Sequence, residues 1–519
     1  MLPQVLEVFD RIWNRLHDPG LPPIHTDVPK SKDLSVADAD RLVADGHAEL
    51  VTDEMLKQYP SLDFIDVFTV VEHKPTGPRR RLIGNPKNAN KHLHEIDAAT
   101  GDKTPVIPPL TKVQDYFNVF EPRTRNKSEQ TFGVCLDAQI AFWQVQLDKR
   151  AWARQRYRDS SGRLFHFKKM LMGHVDSVKL MQLILGNIAG HRLVVHGEHA
   201  NHVVNDIWVD GVRLAGTKSQ LETAGQRILD VAKMFNFTFK EKQIKIESCY
   251  DFIGVFFQHM FKHHKNTGVV RLADKTRNKI RETVIGNEMS AGSIERLLGQ
   301  LIFGSAVCQV PLATFWSAMK YARFICNALN RGKIDIDTIV AVPQQAQRDM
   351  SIWADKVTKN SNVVIAQSGP KKGILFVDAT LVGFGAVLVM PDYQVHINGG
   401  KFEFDTTKII ADREAEAAAI AFRTFSRHLK TLDNVQLFID NTVAEYSFKK
   451  GNAKSEHVAA AISEVLSASR DWNLTVVPLR VTSEDNPADE PSRDEPVSME
   501  KVRAAVQRAW ALQATGNRR

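Results

Sequence analysis

Cysteine is scarce in this sequence. Its four thiols, Cys135, Cys249, Cys308 and Cys326, lie far apart, with no CxxC or Cys/His spacing. That excludes a disulfide framework and a structural zinc site, and it fits a reducing compartment. Long apolar runs are also missing, and no uninterrupted stretch reaches the length of a membrane span. The opening segment, MLPQVLEVFDRIWNRLHDP, carries acids and helical periodicity where a secretory signal would have an unbroken apolar core. The expected location is therefore intracellular, cytoplasm or nucleus, with no membrane partner. No internal repeat or low-complexity tract occurs. Neither sign of charge dominates: 68 Lys and Arg against 60 Asp and Glu leave a net charge of +8. That excess leans toward a polyanionic partner and suits a merely basic soluble protein equally well.

What is present is 519 residues, 43% apolar and 25% charged, too long for one core and folded in composition. Residues 1–60 read as an N-terminal helical extension, with Ser35 as an N-cap and Gly46 as a stop. Strands begin at Phe64: FIDVFTVVEH, a turn at KPTGPR, then RRLIGN, opening a first α/β domain over 61–265. Residues 266–365 are mostly helical in period, and KVTKNSNVVIAQSGPKKG reads as a linker. A second α/β domain follows over 370–497, and 498–519 reads as a basic tail. The fold class is α/β and α+β, multidomain.

Two acids in the second domain interrupt apolar strands, Asp378 in ILFVDATLVGFG and Asp440 in LFIDN. A buried charge is costly unless something uses it. With Glu416 on a predicted helix and Asp489 in DNPADEPSR, they form a set of hard oxygen donors. Such a set could hold two divalent cations about 4 Å apart on a phosphodiester. Each acid alone reads more readily as a solvated surface charge. In the first half, Asp137 ends the strand of VCLDAQIAFWQVQL, with Phe142 five residues on. Asp210 tips the hairpin DIWVDGVRLAG, although Asp-Gly is also the commonest kind of hairpin turn.

The segments FVDATLVGFGAVL, AEAAAI, FIDNTVAEYSFKKG and DNPADEPSR resemble ribonuclease H of retroelements, over about residues 373 to 495. The likeness implies Asp378, Glu416, Asp440 and Asp489 as catalytic ligands of Mg2+ or Mn2+. Glu414 is the lesser choice, because Glu416-x-x-Ala419-Ile420 fits the family's helix pattern better. The details look closest to tyrosine-recombinase retroelements of the DIRS and VIPER kind, with Arg480 where many relatives have histidine.

Residues 64 to 325 resemble reverse transcriptases. By that likeness RRRLIGNPKNANK is the fingers strand, with Arg80 and Arg81 at the triphosphate. DAQIAF is the first catalytic motif, and Phe142 lies under the sugar. KMLMGHVDSVKLMQ is the nucleotide loop with Gly173, and Lys242 is the palm lysine. YDFIGVFF is the primer grip (Phe252, Ile253, Gly254), and SIERLLGQLIFGSAV begins the thumb. Asp137 and Asp210 would be the catalytic metal ligands. The family's Tyr-x-Asp-Asp stands here as Trp208-Val209-Asp210-Gly211, and the nucleotide loop lacks its proline. Asp206 cannot replace the lost acid, since four residues along a strand span about 13 Å.

The resemblance implies a right-hand (fingers, palm, thumb) polymerase fold followed by a ribonuclease H-like α/β domain. It implies RNA- and DNA-directed DNA synthesis from deoxynucleoside triphosphates on an RNA template and DNA primer, with hydrolysis of the RNA–DNA hybrid. A polymerase-impaired or host-domesticated copy, and a non-enzymatic ribonucleoprotein component, are the alternatives. Candidate phosphate tracks are KPTGPRRR with Lys87 and Lys91, HMFKHHKN with DKTRNKIR, and the tail, each of which also reads as a solvated face. The three histidines of HMFKHHK have no acidic or cysteine partner nearby, which weighs against a metal site.

Overall fold

In the computed structural model the apolar spacing of the opening segment becomes helix α1 (Pro3–His17), which buries Val5, Ile12 and Leu16. The structure describes all residues except 21–27, 29–30, 32–33, 61, 75–76, 101–116, 118, 121–128, 263–264, 360–362, 366–370, 404, 406 and 517–519. The chain is a mixed α/β multidomain protein in two units, residues 1–253 with 258–266, and residues 254–257 with 267–519.

In the first unit, α1 is part of the core. Its stripe packs with Leu180, Met181 and Leu185, and Arg15 pairs with the fully buried Asp176 at 3.1 Å. Strand β1 (Ala48–Leu50) pairs antiparallel with Phe165–Phe167. Residues 1–60 thus supply core and sheet, because a stripe of large apolar side chains has to be covered. A long ribbon follows, β2 (Asp66–Lys74) against β3 (Gly77–Asn85). The central sheet has the order β4 (Phe132–Asp137), β6 (Gly211–Gly216), β5 (Val204–Trp208). Its antiparallel register sets Asp137 opposite Gly211. Gly173 lies on the backbone of β3. A Cβ there would overlap the Gly84 carbonyl oxygen and stand 3.1 Å from Asn85 Cα, so only glycine lets the loop approach this closely. Asn90 ties the two together, donating to the Gly173 carbonyl at 2.9 Å and accepting from the Val175 N–H at 2.9 Å.

Of the HMFKHHK histidines, His263 and His264 lie outside the described residues. His259 is buried between Thr131 Oγ1 (2.9 Å) and Tyr250 Oη (3.1 Å), and burial holds its pKa down at about 3.

The second unit joins a helical part to a sheet domain. The helical part contains α2 (Ala291–Cys308), α3 (Trp316–Asn330) and α4 (Gln344–Thr358), and Trp353 of α4 stacks on Phe315 and donates to Ser305 Oγ of α2 at 2.6 Å. Within the expected linker, Val363–Ile365 pairs antiparallel with Gly268–Val270. The sheet contains β7 (Lys372–Ala379), β8 (Gly383–Val389), β9 (Val395–Lys401), β10 (Asn434–Ile439) and β11 (Thr475–Arg480). Their spatial order is β9-β8-β7-β10-β11. The first three are antiparallel, whereas β10 and β11 run parallel to β7. Helices α5 (Ile410–Thr424) and α6 (Glu456–Asp471) bury Ala415, Phe422, Ile462 and Val465 on one face with Leu375 and Val377. The expected basic tail is helix α7 (Met499–Gly516). Val502, Ala505, Val506 and Ala509 recur at helical spacing, and they bury the other sheet face, Ile374, Phe376, Val387 and Phe438.

Candidate functional site

Strands β7 and β10 are parallel neighbours with Val377 opposite Ile439. The next residue of each is Asp378 or Asp440, so the two acids emerge side by side. Helix α5 brings Glu414 to them. Carboxylate oxygens of Asp378, Glu414 and Asp440 all lie within 4.8 Å of one another, the one set of three metal-capable groups among the described residues. Asp378 and Glu414 are only 3% and 2% exposed.

The support of each acid differs. Asp378 accepts from Ser492 Oγ at 2.6 Å and from Asn486 Nδ2 at 3.3 Å. Asp440 accepts from Ser483 Oγ at 2.7 Å. Glu414 Oε2 is buried with no hydrogen-bond partner. Burial, reinforced by Asp440 and then Asp378, pushes Glu414 up to about 10. Burial also raises Asp378, against the Ser492 hydrogen bond and with the help of Asp440 and Asp489. Crowded hard oxygens that resist ionising together are what a divalent cation relieves. The donor set therefore fits a divalent cation.

Asp489 begins the short helix Asp489–Ser492 and lines the same cleft, about 350 Å³ in volume, with Arg480 and Arg493. Arg493 holds it at 2.7 Å. Gly385 faces Asp378 across the β7–β8 pair. A Cβ there would overlap the Ala488 carbonyl oxygen and stand 2.6 Å from Ser492 N. Gly385→Ala is expected to lift this helix off the sheet and cost about 2–4 kcal/mol. A melting curve checks it, and a change under 1 kcal/mol (about half the lower limit) counts against such tight packing.

The structure separates the two acids of helix α5. Glu414, not Glu416, joins the aspartates. Glu416 Oε2 is held by Lys408 Nζ at 3.1 Å and by Arg413 at 3.0 Å. Two residues apart on a helix is roughly opposite sides. Arg413 three residues before Glu416 was the available sign, since side chains at that spacing meet.

In the first unit Asp137 ends β4, and Asp210 sits in the turn between β5 and β6. The Ala138 N–H donates to the Asp210 carbonyl at 2.8 Å. Val209 is held at φ 55°, a costly conformation for a β-branched residue. Burial and then Asp137 raise the Asp210 pKa, whereas Lys240 and Arg81 oppose them. Arg80, next along the strand, turns away to Asp38 at 2.8 Å. The lysine at Asp137 is Lys240, whose Nζ stands 2.9 Å from Oδ2, while Lys242 is exposed. Neither Lys240 nor Glu241, whose Oε2 accepts from the Asp137 N–H at 2.8 Å, is marked by a sequence motif. Phe142 is 6% exposed within the core. Phe252 packs under the Arg213 guanidinium at 4.9 Å. Ile253 and Gly254 both have positive φ, at the point where the chain leaves the first unit.

Asp206 has another task, pairing with the fully buried Arg213 across the β5–β6 register. Asp206→Ala removes the carboxylate that offsets this buried charge and is expected to cost about 3–5 kcal/mol. The loss should be the same with and without Mg2+ in thermal melts, and a Mg2+-dependent loss would mark Asp206 as a metal ligand.

No protein-family model matches this sequence, and no curated protein matches it. Among solved structures the chain is similar to foamy viral protease-reverse transcriptase. The dRH form in complex with double-stranded DNA gives a TM-score of 0.47 at 12% identity, covering 92% of this chain and 82% of that one. The complex with an RNA/DNA hybrid gives 0.44 at 12%, covering 92% and 63%. A further complex with double-stranded DNA gives 0.45 at 12%, covering 93% and 94%.

Proposed function

We propose that the chain is a nucleic-acid enzyme of the reverse transcriptase–ribonuclease H kind, and that its second unit cleaves the RNA strand of RNA–DNA hybrids. The observation that carries this reading is the buried cluster of Asp378, Glu414 and Asp440, with oxygens within 4.8 Å and Glu414 Oε2 unpartnered. These three acids, with Asp489 at the cleft edge, would hold Mg2+ or Mn2+. When bound, such ions supply an activated water and neutralise charge at a phosphodiester. The chain's own groups do the rest. Ser492 and Asn486 fix the Asp378 carboxylate in place, and Ser483 fixes that of Asp440. Arg480 and Arg493 bring positive charge to the same cleft, where phosphate oxygens of the strand would need it.

The first unit, on this reading, is the fingers and palm. Asp137 and Asp210 would serve DNA synthesis on an RNA template and DNA primer, with Lys240 and Arg81 as the cations that act on Asp210. A retroelement origin of the DIRS and VIPER kind rests on the sequence motifs alone. A second reading keeps chiefly the nuclease, in a polymerase-impaired or host-domesticated copy. Gly211 in place of an acid favours it, as does Lys240 on Asp137.

Cleavage of a labelled RNA–DNA hybrid with Mg2+ or Mn2+, beside extension of oligo(dT) on poly(rA), tests both readings. Cleavage that disappears with Asp440→Asn supports the nuclease. A pure, folded chain that cleaves no hybrid with either ion sinks it.

A further inference from the structure

The donor set of the first unit does not fit a metal pair. Asp137 and Asp210 act on one another electrostatically, Gly211 opposite Asp137 brings no carboxylate, and no third metal-capable group among the described residues lies close enough to complete a set. Instead the chain supplies its own positive charge. We propose that Lys240 is a resident counter-cation of Asp137, occupying the place at that carboxylate which a divalent ion would take. The inference rests on reading Asp137 and Asp210 as a polymerase-type pair.

The contact is built into the backbone. Residues 238–241 run beside 137–139: the Gln139 N–H donates to the Thr238 carbonyl at 2.9 Å, and the Lys240 N–H donates to the Asp137 carbonyl at 2.8 Å. Glu241 Oε2 takes the Asp137 N–H at 2.8 Å. Gln144 clamps the start of the segment, donating to the Thr238 carbonyl at 2.9 Å and accepting from the Thr238 N–H at 2.6 Å. Lys240 therefore starts from a fixed point opposite Asp137, and its Nζ reaches Oδ2 at 2.9 Å.

The local charge balance agrees. Arg81 and Lys240 both act on Asp210, so the chain's own cations offset part of the negative charge of Asp137, Asp210 and Glu241. The second unit differs, since there three acids crowd within 4.8 Å. A dication entering beside Asp137 meets the repulsion of an ammonium group and must displace it. Lys240 is about half exposed, so it can swing away. The site is thus expected to load metal weakly rather than never.

The test uses the full chain carrying Asp378→Asn and Asp440→Asn, so that the second unit does not compete for Mn2+. Binding of Mn2+ is followed by electron paramagnetic resonance, with circular dichroism to check the fold. Lys240→Met should bind Mn2+ on the order of tenfold more tightly than its parent. Lys240→Gln should do the same, and it serves if the methionine variant does not fold. Lys240→Arg keeps the charge and should show no gain. Adding Asp137→Asn to Lys240→Met should remove the gain. The proposal is overturned if neither neutral variant gains affinity, if the arginine variant gains as much, or if the gain survives Asp137→Asn. Hybrid cleavage by the unaltered chain is a separate assay, so failure of the nuclease reading shows there and not here.

Discussion

Glu414→Gln is expected to lower hybrid cleavage by about a thousandfold or more and, in the same protein, to raise the melting temperature of the metal-free chain. Both effects follow from one buried carboxylate. Glu414 is 2% exposed, lacks a partner for Oε2 and stands beside Asp378 and Asp440. Its folded pKa is raised to about 10, and that of Asp378 is raised as well. A carboxyl raised on folding contributes stability that is complete below its unfolded value near pH 4.5, and that is lost as pH rises through the folded value. The metal-free chain should therefore be more stable at pH 5 than at pH 9. Mg2+ or Mn2+ should restore stability at the alkaline end, where the carboxylates are ready to bind.

A neutral amide at position 414 flattens that profile. Relief of about 1–3 kcal/mol corresponds to roughly 5 °C in a unit of this size. Melts across pH, with chelator and with metal, measure the effect. Glu416→Gln is the matched control, expected to cleave within about threefold of the parent because its carboxylate belongs to Lys408 and Arg413. If Glu416→Gln loses cleavage while Glu414→Gln keeps it, the helix register described above is wrong for catalysis.

The second large effect concerns Gly211. Gly211→Asp should raise primer extension on poly(rA)/oligo(dT) at least about tenfold, the equivalent of about 1.4 kcal/mol of barrier. The position can accept a side chain. A Cβ there meets nothing closer than 3.6 Å, and its neighbours at that distance are Asp137 Oδ1, Phe252 Cε2 and Trp208 O. The new carboxylate would therefore lie beside Asp137 and complete a set of three acids. Without metal it adds like charge next to Asp137 and Asp210, expected to cost about 1 kcal/mol. Added Mg2+ should recover that loss, and the two melts give a readout independent of synthesis. Extension that stays at the parent's level, with Mg2+ giving no stabilisation, would show that position 211 does not limit the site.

Much of the second unit was legible because polarity broke an expected pattern. Asp378 and Asp440 stand at the ends of strands that are otherwise apolar, and a parallel pairing of those strands is enough to bring them together. The third acid was harder. Helix α5 buries Ala415, Ala417, Ala418, Ala419 and Ala421. An alanine-rich helix buried over so much of its surface gives periodicity little to choose between Glu414 and Glu416. Helix α7 was hidden differently: Lys501, Arg503 and Arg508 gave the segment its basic look, while Val502, Ala505, Val506 and Ala509 carried the stripe. Lys240 could not be found by motif, because its link to Asp137 depends on two stretches about a hundred residues apart lying side by side.

The closing of the second sheet face by α7 has a consequence for synthesis of the chain. Ile374, Phe376, Val387 and Phe438 are covered by residues 502 to 509. These belong to the strands that carry or flank Asp378 and Asp440. A ribosome that has finished every acid of the cluster has still left that face bare, open to collapse or to other chains. A chain cut short before Val502 is thus expected to be sticky and prone to aggregate. One helix decides whether the strands that carry Asp378 and Asp440 have a covered or a bare back.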